Sequence, residues 1–275
     1  MGLQLGATVF FNRREEFEMI LKVVQKYPFV KYIEFRGEAP FFFPGFTPQS
    51  DFKFYREVLS RTSLKTTIHT TMYDINLATL NPKIKEANIK SYKEYIDLAA
   101  YFESEIIVLH DGEVYQEFAR SPRREEFLQI AERHLIDTLI ELADYGQQKG
   151  VKVALENAPP QKHLSLVWNA ENHTAMLQKI NHPNLGALFD VAHAFLHGLD
   201  IAAYLEAIHP FLLEIHAHNN MGEKDDHLGL PNGKIDYLSI LKHPVVDGIP
   251  LIMEIRSYDE VIHTLEWLKA HGFAE

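Results

Sequence analysis

Six apolar runs of this chain end on a group able to grip a metal ion or move a proton. They are His69 in "LKTTIHTT", His110 in "EIIVLHDG", Glu156 in "KVALENA", Asp190 in "LGALFDVAH", His216 in "LLEIHAHNN" and Glu254 in "PLIMEIRS". His193 follows Asp190 by three residues, and Asp225 and His227 follow His216 in a crowded turn. A carboxylate inside an apolar strand is unfavourable unless it is paired or metal-bound. Taken singly, each of these residues has a plain structural role: a satisfied histidine, or a glutamate paired with an arginine. His163, His182, His197 and His218 are read that way. As a set they differ, because acids converging on one rim repel each other unless cations lie at the centre. Arg36 and Arg256 are the main basic candidates, too few to compensate. The set therefore points to bound divalent ions. Cysteine is absent, so disulfides are impossible and any ion is held by nitrogen and oxygen.

Such residues meet only if the runs that carry them lie side by side. Short β-rich stretches alternate along the chain with stretches of helical period. The strands begin with "LQLGATVF" and "KYIEFRG" and continue through the six runs above. The helices run from "REEFEMILKVVQKY" to "YDEVIHTLEWLKAHG", with Gly150 and Gly272 at C-terminal caps and Pro82 and Pro122 at helix starts. Eight β and eight α units predict a single (β/α)8 barrel of class α/β over residues 1–275. An open doubly wound sheet is the alternative, but "TVFFNRREE" lacks its glycine-rich phosphate loop. In a β/α barrel the active site lies at the C-terminal strand ends, where the six groups fall.

Composition sets further bounds. The 275 residues are 46% hydrophobic and 24% charged, with a formal net charge of -11. That charge disfavours a large nucleic-acid footprint. No apolar run is long enough to span a bilayer, and the N-terminus shows no signal-peptide pattern. Gly6 weakens a myristoylation reading of the Met-Gly start. A cytoplasmic location is expected.

The pieces "IHTTMYDINLA", "IVLHDG", "VALENAP", "FDVAHAFLHG", "HAHNNMGEKDDHLGLPNGKID" and "LIMEI" together resemble the xylose isomerase-like TIM-barrel superfamily. This superfamily holds sugar and sugar-phosphate isomerases and epimerases as well as endonuclease IV, and the resemblance covers essentially the whole chain. It implies a central metal site of Glu156, Asp190, His216 and Glu254. It implies a second site of His69 and His110 bridged by Glu156, and a third of His193, Asp225 and His227. His218 falls on a position that does not bind metal.

Two chemistries follow from the resemblance. In an isomerase or epimerase, Glu156 and Glu254 exchange the substrate proton, His193 bonds a substrate oxygen, and Mn, Mg or Co suits the central site. In an endonuclease IV-like phosphodiesterase, up to three Zn ions activate a hydroxide and Glu156 is a bridge rather than a base. The short segment "HAHNNMGEKD" and the acidic charge favour the first, with a sugar or sugar phosphate as substrate. Asn219 stands where aspartate is usual, and the loop after the seventh strand carries Asp225 and His227 where tagatose-type epimerases carry an arginine. A barrel that binds metal without catalysis is a third reading. Finally, "APFFFPGFTP" either packs on its neighbours or forms a lid or subunit contact through Phe41 to Phe43, with Trp168 joining it.

Overall fold

The computed structural model describes residues 2–9, 14–38 and 40–273. Eight parallel strands close into a barrel in chain order: β1 (Gln4–Val9), β2 (Val30–Arg36), β3 (Lys65–His69), β4 (Ile106–His110), β5 (Lys152–Glu156), β6 (Leu185–Asp190), β7 (Leu212–Ala217) and β8 (Pro250–Met253). β1 pairs with both β2 and β8. The helices are α1 (Arg14–Val24), α2 (Gln49–Leu59), α3 (Pro82–Phe102), α4 (Gln116–Ala119), α5 (Arg124–Lys149), α6 (Ala170–Ile180), α7 (Val191–Leu196), α8 (Ile201–Ile208), α9 (Tyr237–Leu241) and α10 (Tyr258–Ala270). The expected (β/α)8 architecture is thus present. Among the described residues no helix is long and apolar enough to cross a membrane.

The period of two along each strand divides its side chains between two cores. Val153 and Leu155 of β5 pack outward in the large core shared with the helices. Ala154 packs with Ile106, Val108 and Leu188 in a small separate core. Glu156, His110 and Asp190 share the parity of this inner set and continue it upward. On β4, β5 and β6 the inner wall is therefore apolar at the base and polar at the mouth.

Local chemistry sets the helix ends. Asn81 accepts a hydrogen bond from the Lys83 amide with Pro82 at the first helical position, and Asn169 and Asn172 form a reciprocal box at the start of α6. Two expectations shift. Pro122 precedes α5 by two residues, because the helix begins at Arg124. The run "LGALFDVAH" is not one strand: Asp190 ends β6 and caps α7, its Oδ1 accepting from the His193 amide at 2.7 Å. His193 thus sits on a helix turn that folds back over the mouth.

In the aromatic loop after β2, Phe42 and Phe43 pack on their neighbours, while Phe46 stands exposed. Phe42 is fully buried and stacks on Phe35 at 4.2 Å, with Phe52 and Phe102 at its edges. Phe43 packs edge-on against Tyr95, while Trp168 lies elsewhere, against His197. The loop plugs the seam between barrel and outer helices. Phe42→Ala is expected to destabilise the fold by about 3–5 kcal/mol in urea unfolding. A raised KM with unchanged stability would favour a lid instead.

Candidate metal centre

Glu156 is the hub of the mouth. Its Oε2 lies 3.3 Å from His69 Nε2 and 3.2 Å from His110 Nε2. Its Oε1 lies 3.4 Å from His193 Nδ1 and 3.6 Å from His216 Nδ1. His216 Nδ1 is in turn 3.4 Å from Glu254 Oε2 and 4.0 Å from Asp190 Oδ2. Three carboxylates from β5, β6 and the end of β8 therefore meet around one imidazole nitrogen. Beside them, Asp225 Oδ2 lies 3.0 Å from His227 Nε2 and 3.5 Å from His193 Nε2. All nine residues expected from the sequence come together, although they span 186 positions from His69 to Glu254.

The rings are set by bonds on their far sides. His69 Nδ1 donates to the Thr70 carbonyl at 2.7 Å, His193 Nδ1 to that of Asn157 at 2.8 Å and His227 Nδ1 to that of Glu254 at 2.9 Å. Each bond turns Nε2 toward a carboxylate of the cage, Glu156 for His69 and Asp225 for His193 and His227. Fixing the tautomer through the other ring nitrogen is how proteins prepare histidine for a metal. His227 adopts the left-handed backbone region, with φ 53°, which few side chains other than asparagine, aspartate or histidine tolerate. The turn is held by Asn219, whose side chain donates to the carbonyls of Leu230 (2.7 Å) and Ile235 (3.2 Å) and accepts from the Ile235 amide. An aspartate there has no N–H to donate, which explains the asparagine. A Cβ on Gly233 would collide with the same side chain.

Charge is concentrated. Burial alone pushes the Glu156 and Glu254 carboxyls up, but the imidazoles, and Arg36 for Glu254, hold both well below the usual range. Burial favours neutral His193, yet Asp190 and Asp225 push it up to about 10. Burial wins at His110, which falls to about 4. Arg36 pairs with Glu254 and lies 3.8 Å from Glu38. The buried His216 Nδ1 and Asp225 Oδ1 make no hydrogen bond. Donor atoms of His69, His110 and Glu156, and of His69, His216 and Glu254, lie within 4.8 Å of one another. That spread allows a common ion at about 2.0–2.4 Å from each. A set of imidazole and carboxylate donors with buried unpartnered atoms facing inward suits a divalent cation.

His218, expected from the resemblance at a position beside the ligands, is fully buried with Nε2 3.1 Å from Asp190 Oδ2, and its ring stacks on His227 at 4.0 Å. Its donor atom also lies within 4.8 Å of those of Asp190 and His193, and of His227 and Glu254. Sequence reasoning missed part of the site. Below the cage, Glu34 and Glu214 are also fully buried, 3.3 and 3.4 Å from His216 Nε2. Both sit in apolar strands at inward parity, the signal that picked out Glu156.

Comparison with known proteins gives this arrangement a family. An uncharacterized protein of Methanocaldococcus jannaschii, MJ1614, is 25% identical over 98% of this chain and 98% of its own length. A D-tagatose 3-epimerase-like protein superposes with a TM-score of 0.84 at 20% identity, covering 98% of this chain and 97% of that one. The TTHB071 protein of Thermus thermophilus, from a crystal soaked in ZnCl2, gives 0.74 at 20% identity, with 99% and 98% covered. The last two likenesses are of fold. Residues 29–271 match the family model described as xylose isomerase-like TIM barrel, and the chain belongs to that family.

Proposed function

We propose that this chain is a divalent-metal-dependent isomerase or epimerase acting on a sugar or sugar phosphate. One observation carries the reading: Glu156 and Glu254 both approach His216 Nδ1, within 3.6 Å, at the mouth of the barrel. Two glutamates around one centre can take a proton from a carbon and return one. Glu156, Asp190, His216 and Glu254 would hold the ion, with Mn, Mg or Co suited to this oxygen-rich set. When bound, such an ion polarises adjacent carbonyl and hydroxyl oxygens and acidifies the neighbouring C–H. Arg36 keeps Glu254 ionised and fixes its Oε1, leaving Oε2 toward the centre. His193 bonds a substrate oxygen. The likeness to an epimerase-like structure supports the same reading.

A second reading, a trinuclear zinc phosphodiesterase, is favoured by the way four histidines share the two Glu156 oxygens. Elemental analysis of gently purified protein, with deuterium uptake by a ketose panel in D2O and an abasic-site DNA assay, separates the two. About one Mn or Mg per chain with ketose exchange is the expected result. Two or three Zn with DNA cleavage and no exchange would overturn it.

A further inference from the structure

Beyond His110 the mouth opens into a second concavity. A cleft of about 580 Å³ lies between the loop after β3 and the loop after β4, and His110 and Asp111 are part of its lining. Its walls carry Tyr73, Tyr115, Asp74 and Glu113. Among the described residues no lysine or arginine lines it. The walls are bonded to each other. Asn76 Nδ2 donates to the Glu113 carbonyl at 2.8 Å, the Glu113 amide donates back to Asn76 Oδ1 at 3.0 Å, and Asn88 Nδ2 holds the Asn76 carbonyl at 2.6 Å. Gly112 lies at φ 85°, where a Cβ would collide with Asn76 Oδ1. The cleft is therefore preformed, as ligand pockets usually are. Tyr73 and Tyr115 stand 64% and 51% exposed on it.

We propose that the substrate is an uncharged sugar enlarged by a second unit, such as a glycosyl group, which occupies this cleft between Tyr73 and Tyr115. The proposal rests on the isomerase or epimerase reading and names the substrate class for the same site. Size carries the first half. At about 30 Å³ per water-sized group the cleft holds roughly twenty such groups, whereas a free hexose has about twelve non-hydrogen atoms. The reacting carbons, moreover, lie outside the cleft, at the glutamates. Charge carries the second half. A phosphate is ordinarily met by arginine or lysine, and here it would meet Asp74 and Glu113. The two tyrosines offer apolar ring faces to the C–H surface of a pyranose and hydroxyls to water.

The test uses the manganese-loaded full chain and three ketoses: lactulose, D-fructose and D-fructose 6-phosphate, followed by deuterium uptake. Lactulose is expected to exceed fructose in kcat/KM by about tenfold, and fructose 6-phosphate by about a hundredfold. Tyr73→Ala and Tyr115→Ala should each reduce the lactulose-to-fructose ratio about fivefold, with the melting temperature unchanged. A preference for the phosphate, or a ratio that neither variant moves, overturns the proposal. If none of the three exchanges, the reading of the reaction fails, and binding decides the cleft. Saturation-transfer NMR of lactulose with the metal-free protein upholds it if the signal is present and lost in Tyr73→Ala; no signal overturns it.

Discussion

Glu156→Gln protein, purified without added metal, is expected to carry at least one divalent ion fewer per chain than the parent. Its deuterium exchange should be slower by about a thousandfold or more. The reason is the position of the carboxylate. Its two oxygens face four imidazoles, and no other acid of the cage touches both His69 and His110. Glutamine keeps the shape and removes the charge. Whichever way the amide turns, its N–H groups point at ring nitrogens that face the centre, Nε2 of His69 and His110 or Nδ1 of His216, and compete for their lone pairs. Glu254→Gln is the informative partner, because Arg36 can still hold the remaining oxygen. If Glu156 works as ligand and base, both variants stop exchange while each loses about one ion. If it bridges two ions, Glu156→Gln loses about two and Glu254→Gln about one. Unchanged circular dichroism excludes misfolding. Full metal content with exchange within about tenfold of the parent would remove Glu156 from the centre altogether.

The sequence made the barrel legible because eight strands and their helices alternate without interruption, and strand ends in such a fold share one rim. Glu156 and Glu254 were legible because a carboxylate in an apolar run needs a reason. Depth inside the lumen was not. Glu34 lies two residues before Arg36, and Glu214 two before His216, so both share the inward parity but sit one layer lower. Spacing along a strand gives the face and leaves the layer open, since that depends on the stagger of neighbouring strands. The turn at Asp190 was readable in principle: an aspartate whose side chain reaches the amide three residues on is a helix cap. The β-rich residues before it masked the signal. For the loop after β2, aromatic composition describes a lid and a plug equally well. Only the stacking of Phe42 on Phe35 separates them.

The layer beneath the cage leads to the second large effect: Glu34→Gln should weaken divalent-metal binding about 10–100-fold, and Glu214→Gln should change it by no more than about threefold. The two carboxyls are neighbours, yet their surroundings differ. Glu34 accepts from Thr8 Oγ1 at 3.1 Å, from Thr67 Oγ1 at 3.2 Å and from His216 Nε2 at 3.3 Å. Burial pushes its carboxyl up, but His216 outweighs that and keeps it ionised. An ionised Glu34 holds the proton on Nε2 and so presents the Nδ1 lone pair to the cage. It also makes that nitrogen more basic. A glutamine there can accept the same bond, but without the charge, and its NH2 must be placed among hydroxyls that now donate to oxygen. Glu214, by contrast, has both oxygens buried without a hydrogen bond, and burial together with Glu34 holds its carboxyl well above the usual range. Its surroundings favour the neutral form, of which glutamine is a near-isostere. Calorimetric titration of metal-stripped protein with Mn2+ reads both variants directly, whatever the substrate proves to be. Equal effects of the two substitutions would mean that this layer acts on the ion only through bulk charge; a large effect of Glu214→Gln alone would reverse the assignment of which carboxyl is ionised.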